Sequence, residues 1–107
     1  MSIKKIIYID SDNVVQLDVR DVINGRPITN GNVLLRILND DGTDINGSPF
    51  ILTHLPSQPG TWRTVISYLF TGSLQKNKEY KSELIINSPA GRMKSEFLLK
   101  ALVKPLE

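Results

Sequence analysis

Apolar and polar residues alternate along seven short stretches of the chain, and turn-forming residues separate these stretches. The clearest case is residues 15–20, where Val15, Leu17 and Val19 alternate with polar side chains. A period of two is typical of a strand with one buried and one solvated face. The pattern predicts seven strands, lettered A to G: Ile3–Ile9, Val15–Arg20, Asn32–Leu38, Phe50–Leu55, Thr61–Phe70, Glu79–Ile86 and Arg92–Val103.

No stretch carries a convincing apolar stripe at helical spacing, and strand G is the one place where a helix could compete. Turn signals recur every ~8–12 residues, which is typical of two packed sheets. A chain of 107 residues fits one domain and buries roughly 65% of its unfolded surface without needing disulfides. The prediction is an all-β fold, a seven-stranded antiparallel immunoglobulin-like β-sandwich spanning residues 1–107.

In such a sandwich successive connections alternate between the two ends. The A–B, C–D and E–F loops would share one end, which carries mostly charged residues: Asp10, Asp12, Asp40, Asp41, Asp44, Lys76 and Lys78. The B–C, D–E and F–G loops would share the other end, which is small and polar: Arg26, Asn30, Ser57, Gln58, Ser88 and Arg92.

The formal net charge of +2 is too small to indicate nucleic-acid binding, and seven aromatic residues offer few platforms for stacking bases. The charge is unevenly distributed, however. Residues 1–53 carry five basic and seven acidic side chains, whereas residues 54–107 carry eight basic and four acidic ones. This asymmetry suits a subunit that packs against its own copies or a protein neighbour through opposite potentials.

The chain has no cysteine, so its fold does not depend on an oxidising compartment. Lys4 and Lys5 precede only four apolar residues, fewer than the ~7–15 that a secretory signal needs. No apolar run approaches the ~20 residues that span a bilayer. We therefore expect no membrane association, and assembly in the cytoplasm.

Residues with catalytic potential are few. His54 is the only histidine, and no cysteine or Gly-x-Ser-x-Gly elbow accompanies it, so a structural role is expected. An EF-hand alignment with Gly47 at the sixth position places Gly42 at the first and Thr53 at the twelfth, and the motif fails. The aspartates are therefore interpreted as turn residues, and Trp62 as a core residue. No catalytic residue, metal or cofactor is predicted, and the chain is not expected to be an enzyme.

Leu74 precedes Tyr80 by six residues, the spacing at which immunoglobulin-type sandwiches carry a tyrosine corner. The Asn24–Pro27 turn, the Val-rich strand after it, Asp41-Gly42, Gly60-Thr61-Trp62 and Tyr80 follow in the order of an immunoglobulin-like domain. Over roughly residues 13–103 the chain resembles small immunoglobulin-like modules of tailed-bacteriophage structural proteins and related adhesin and fibronectin type III-like domains. It lacks the cysteine pair of antibody domains, and Trp62 lies on strand E rather than C.

The resemblance implies a non-enzymatic structural or assembly module, first a phage or prophage virion component such as a decoration, neck or tail accessory protein. Such a component would be assembled in the host cytoplasm and located in the virion. The alternative is an accessory or adhesin-type module that recognises carbohydrate or peptide through the B–C, D–E and F–G loops.

Partners are expected to be proteins, either copies of this chain or other virion proteins. The candidate interaction surface comprises Arg26, Ser57, Gln58, Arg92, Lys94, Leu98, Lys100 and Leu102. In a homo-oligomer the acidic A–B and C–D loops of one copy would meet Lys94 and Lys100 of the next. Leu98 and Leu102 would supply apolar area, because exposed ion pairs contribute under about 1 kcal/mol each.

Overall fold

A computed structural model describes residues 6–105 of the protein. It confirms the all-β prediction and shows a strand at each of the seven predicted places, with some bounds shifted, and residues 3–5 of predicted strand A lie outside the described residues. The elements in chain order are β1 (Ile6–Ile9), β2 (Asn13–Asp18), β3 (Asn32–Ile37), β4 (Phe50–His54), β5 (Thr61–Ile66), α1 (Tyr68–Thr71), β6 (Glu79–Ser88) and β7 (Gly91–Val103).

The strands form one mixed sheet in the order β1-β7-β6-β3-β4-β5-β2, which curls nearly into a barrel. The corner of the sheet is β4. Its residues 50–52 pair with β3, whereas Thr53 and His54 pair with β5. β4 therefore joins the part of the sheet that contains β3 to the part that contains β5. The edge strands β1 and β2 face each other.

The prediction of an antiparallel arrangement is wrong for one strand pair. β1 runs parallel to β7, with Ile6 opposite Lys100 and Ile9 opposite Val103. Each connection between consecutive strands reverses the direction of the chain. The odd-numbered strands therefore all run in the same direction. When the first and the seventh strand pair, they are therefore parallel.

The prediction that strand E extends to Phe70 is also wrong, because a short helix takes the place of its last residues, whereas strand G, where a helix could compete, is a strand. β5 ends at Ile66, and α1 follows it directly. The Ser67 side chain caps the helix by accepting a hydrogen bond from the Leu69 N–H at 3.1 Å. The Phe70 ring is buried edge-on against Phe50, with 4.8 Å between ring centroids. The Ser67 cap and the buried Phe70 ring thus favour a helix directly after Ile66, where β5 ends.

The core lies between the inner faces of the curled sheet, and it contains Trp62 as predicted. The Trp62 indole N–H donates to the Ile28 carbonyl at 2.9 Å. Leu74 and Tyr80 are buried in the same cluster, and the Tyr80 hydroxyl accepts a hydrogen bond from the Gln75 N–H at 2.8 Å. The predicted bond between Tyr80 and the preceding backbone is therefore present.

The connections meet at two ends of the molecule, as predicted. At one end the Thr71 hydroxyl donates to the Ser11 carbonyl at 2.9 Å, and Lys78 lies 3.4 Å from Asp40. At the other end Gly31 lies directly against the backbone of Asn87, where a Cβ atom would come within 2.1 Å of the carbonyl oxygen. We call these the helix end and the hairpin end, respectively.

Candidate functional site

Two large apolar side chains project into solvent at the hairpin end, in the connection between β2 and β3. Val22 is 83% exposed and Ile23 is 90% exposed. The pair, which we call the apolar tip, lies in a turn that the connection makes before it returns to the core at Ile28, which is buried. Singly exposed apolar side chains are normal on protein surfaces, whereas adjacent ones on one turn form a small apolar patch of the kind that partners cover.

The backbone around the apolar tip is held by the loop's own polar groups. The Asp21 N–H donates to the Arg26 carbonyl at 2.9 Å, and the Gly25 N–H donates to the Asp21 carbonyl at 2.8 Å. The Asp21 carboxylate accepts from the Ile23 N–H, and the Asn24 side chain accepts from the Arg26 N–H. These bonds fix the turn without using either apolar side chain, so the tip is preorganised in its exposed position.

A second pair of exposed apolar side chains lies at the helix end. In α1, Tyr68 is 54% exposed and Leu69 is 75% exposed, while Phe70 and Thr71 are buried. Hydrogen bonds to the turn after β1 hold the helix: Asp12 accepts from the Tyr68 N–H at 2.8 Å, and Thr71 exchanges two bonds with the Ser11 backbone. We call Tyr68 and Leu69 the helix pair.

Charged side chains lie beside both pairs. Arg92 lines the same shallow depression as Val22 and Ile23, and the Asp21 carboxylate bonds the Ile23 N–H. At the helix end the Asp12 carboxylate bonds the Tyr68 N–H, and the Asp10 carboxylate lies beside Gly72, immediately after the helix. Each pair thus has a carboxylate bonded to the backbone of one of its residues.

The predicted interaction residues fall into two separate groups. Arg26, Ser57, Gln58 and Arg92 are all exposed at the hairpin end. Lys94, Leu98, Lys100 and Leu102 lie along the outer face of β7, towards the helix end. Leu98 is 46% exposed, and Leu102 is only partly exposed in register with Tyr8 of β1. The fold therefore does not gather the eight residues into one patch.

Several of the charges that we predicted to bridge copies are engaged within the chain. Lys94 contacts Glu83 at 2.9 Å and Glu96 at 3.7 Å, and Asp40 pairs with Lys78. Asp44 accepts two hydrogen bonds from the Arg36 guanidinium, at 3.2 and 3.1 Å. Arg36 also contacts Glu83 at 2.7 Å, so Asp44, Arg36, Glu83, Lys94 and Glu96 form one cluster across the outer face of β3, β6 and β7, and the Asp40–Lys78 pair is separate from it. Charges paired in this way are less able to hold a neighbouring copy.

Hydrogen bonds within this cluster shift the pKa values of four of its members. The Arg36 guanidinium lowers the pKa of Asp44, and the Lys94 ammonium lowers the pKa of Glu83. The same contacts raise the pKa of Arg36, chiefly through Asp44, and the pKa of Lys94, chiefly through Glu83. All four groups are consequently charged near neutral pH, and the cluster joins three strands.

The remaining polar candidates have structural partners. Asp41 accepts from both the N–H and the hydroxyl of Thr43, which lowers its pKa and agrees with the interpretation as a turn residue. His54 accepts a hydrogen bond from the Gly60 N–H at 3.1 Å through Nε2 and lies against Trp62. Within residues 6–105 no three His, Cys, Asp or Glu side chains are grouped so that they could hold a metal ion.

A groove of about 370 Å³ follows the open seam between β1 and β2, lined mainly by apolar side chains. Its volume is in the range of small-molecule sites, which also need polar groups that converge on the ligand. Here the Asn13 side chain instead bonds the Tyr8 N–H and carbonyl, and Asp12 bonds the Tyr68 N–H. Asn13 thus joins the edge strands β1 and β2, and Asp12 joins the turn after β1 to the helix.

In the part of the chain that the structure describes, no helix is long and apolar enough to cross a membrane. Comparison with protein-family models, with curated proteins and with solved structures gave no match.

Sequence analysis missed both exposed apolar pairs. Val22 and Ile23 stand between predicted strands, directly before the Asn24-Gly25 turn, and two adjacent β-branched apolar residues in a turn were the available signal. The exposure of Tyr68 and Leu69 was not predicted because both residues fell within predicted strand E. Only the helix that interrupts that strand places them in solvent.

Proposed function

We propose that the chain is a non-enzymatic assembly module that binds protein partners through its ends, and that it serves as a structural component of a phage or prophage virion. The observation that carries the proposal is the apolar tip, whose two side chains are 83% and 90% exposed on a turn fixed by its own hydrogen bonds. The virion setting depends on the sequence resemblance alone.

Apolar side chains that stay in water forgo the free energy that burial would provide. Burying a Val or Ile side chain is worth ~1.5–3 kcal/mol, and neither side chain of the tip gains this on folding of the monomer. Binding energy at protein interfaces concentrates in a few apolar anchors, and preorganised anchors lose little conformational entropy when they bind. A rigid turn with two unburied apolar side chains therefore has the properties of an interface anchor.

The fold is proposed to be immunoglobulin-like. Three observations support this: β4 passes from one side of the sheet to the other, the Tyr80 hydroxyl bonds the backbone before β6, and the connections gather at two ends as expected for such a strand order. The parallel pairing of β1 with β7 modifies the antiparallel scheme at one edge.

A ligand-binding role for the hairpin end is less well supported. The β2–β3 and β6–β7 connections there enclose a depression of about 210 Å³. Pockets that bind small ligands usually measure ~300–1,000 Å³. A surface this shallow suits contact with a protein better than enclosure of a sugar.

The test is to purify particles produced from the genome that encodes the chain and to quantify the chain by mass spectrometry. We expect a defined copy number per particle for the wild type and a loss of at least tenfold for Ile23→Ser. The matched control is Ile51→Ser, because Ile51 is 68% exposed on the outer face of β4 and lies outside both apolar pairs. A chain absent from purified particles would overturn the virion proposal, and equal loss for both variants would overturn the role of the tip.

A further inference from the structure

Three Asn-Gly pairs occur in the connections between strands: Asn24-Gly25, Asn30-Gly31 and Asn46-Gly47. Asparagine followed by glycine is prone to deamidation, because no Cβ atom shields the glycine nitrogen from the asparagine side chain. The reacting atoms are the same in all three pairs, so their reactivities in an unfolded chain are similar. Differences in the folded protein therefore come from the hydrogen bonds and turns that hold each pair.

Both reacting groups of the Asn24-Gly25 pair are bonded elsewhere. The Gly25 N–H donates to the Asp21 carbonyl at 2.8 Å. The nitrogen thus directs its proton, and the electron pair that loss of the proton would leave, at that carbonyl. The Asn24 side-chain oxygen accepts from the Arg26 N–H at 2.9 Å, which fixes the carboxamide. Attack of the Gly25 nitrogen on Asn24 requires that the bond to Asp21 opens first.

The Asn46-Gly47 pair lies inside a closed turn. The Ser48 N–H donates to the Ile45 carbonyl at 2.8 Å and closes the turn around the pair. Gly47 lies against the Phe70 ring, where a Cβ atom would come within 3.0 Å of a ring carbon. Ring closure between Asn46 and Gly47 must twist the backbone inside this turn, and the closing hydrogen bond opposes that movement.

Neither kind of restraint holds Asn30. Its side chain is exposed and, within residues 6–105, neither that side chain nor the Gly31 N–H makes a hydrogen bond. Asn30 lines the depression of about 210 Å³ at the hairpin end, so water and hydroxide reach it. Gly31 is held in place against the Asn87 backbone. Ring closure therefore proceeds by rotation about the bonds of Asn30.

We propose that Asn30 is a site of spontaneous deamidation that reacts before Asn24 and Asn46, a property that does not depend on the proposed assembly role. The Gly31 nitrogen gives up its proton and bonds to the Asn30 side-chain carbonyl carbon. The side-chain nitrogen leaves with that proton as ammonia. Water then opens the cyclic imide: its hydroxyl bonds to either ring carbonyl carbon, its hydrogen bonds to the ring nitrogen, and the bond between this carbon and nitrogen breaks. The products at position 30 are aspartate and isoaspartate.

The modification would alter the hairpin end in two ways. Each product adds a carboxylate to the end that carries Arg26 and Arg92. Isoaspartate also routes the backbone through the former side chain and lengthens it by one methylene directly before Gly31, which packs closely against Asn87. Charge and backbone fit at this end would therefore change as the protein ages.

The test is to incubate the folded wild-type protein at physiological temperature and mildly alkaline pH. Peptide mass spectrometry follows the three pairs, and fragment ions locate the mass gain. We expect Asn30 to react at least about tenfold faster than Asn24, which corresponds to roughly one hydrogen bond in the barrier, and also faster than Asn46. The same chain unfolded in guanidinium chloride is the control and should show similar rates at all three pairs. Asn30→Gln should lose the signal at position 30 and leave the other two pairs unchanged.

Other results would overturn the proposal. Modification of Asn24 or Asn46 in the folded protein at the rate of Asn30 or faster would contradict the proposed order. The same order and ratios in the unfolded chain would mean that the fold protects neither of the other pairs. If Asn30 reacts in the unfolded chain but stays unmodified in the folded protein, the contact of Gly31 with Asn87 blocks ring closure and the proposal fails.

Discussion

Two connections, β2–β3 and β3–β4, form their turns in the same way but expose different side chains to solvent. Both use aspartate side chains to bind backbone N–H groups: Asp21 binds that of Ile23, and Asp41 binds that of Thr43. The β3–β4 turn then exposes Asp40 and Asp41, whereas the β2–β3 turn exposes Val22 and Ile23. Since turn formation is satisfied in both, the apolar side chains of the first are not explained by folding. The exposed apolar side chains of the β2–β3 connection are the reason that the assembly role is proposed for it.

The largest expected effect comes from the glycines of the two connections. Gly31 has φ +116° and would place a Cβ atom 2.1 Å from the Asn87 carbonyl oxygen, whereas Gly42 has φ +87° with open space around it. We expect Gly31→Ala to destabilise the fold by at least ~3 kcal/mol and Gly42→Ala by about 1 kcal/mol. Urea unfolding of both variants measures the difference. Equal losses would mean that the close approach at the hairpin end contributes nothing.

A smaller loss of unfolding free energy is expected when Asp44 is replaced. Its carboxylate binds the Arg36 guanidinium and so holds the β3–β4 connection against β3. Because its pKa is lowered in the folded state, its stabilising contribution is complete above its ordinary pKa of 3.8 and is lost as the pH falls further. Asp44→Asn should cost about 1 kcal/mol at pH 7. The gap between wild type and variant should close below pH 3.8, measured by urea unfolding at several pH values. A gap that persists in acid would assign the loss to packing rather than charge.

The smallest effect on stability should come from the apolar tip itself. Ile23 is 90% exposed, and its side chain makes no contribution to the hydrogen bonds of its turn. We expect Ile23→Ser to change the free energy of unfolding by less than about 0.5 kcal/mol. Thermal and urea unfolding check this value, with Ile28→Ser as the buried comparison in the same connection. Marked destabilisation by Ile23→Ser would mean that the tip serves the monomer.

Local patterns predicted much of the fold. The alternation at Val15, Leu17 and Val19 and the core position of Trp62 followed from period-two burial. The bond between Tyr80 and the backbone at Gln75 followed from spacing. Strand direction at β1 did not follow, because pairing between the first and last strands depends on how the whole sheet closes. The end of β5 was missed because Ser67 caps a helix only once Asp12 and Phe50 are in place around it.

The candidate site was less predictable. Arg26 and Arg92 were named and do lie at one end, yet the exposed apolar side chains were treated as ordinary loop and strand residues. Exposure of Val22 and Leu69 depends on three-dimensional surroundings that a one-dimensional pattern does not contain. The ion pair of Lys94 with Glu83 likewise appears only when β6 and β7 are aligned in register.

The parallel pairing of β1 with β7 has a mechanical consequence. Tension applied through the two chain ends would pull Ile6 and Val103 in opposite directions along neighbouring strands, and so load the bonds between β1 and β7 in shear. Bonds loaded in shear must yield together, whereas those of the β6–β7 hairpin, pulled from its open end, would yield one after another. Resistance to stretching under such a load is governed by the unfolding rate rather than by equilibrium stability. The pairing of β1 with β7, which covers four residue pairs within residues 6–105, would therefore set the first resistance of this small domain to force.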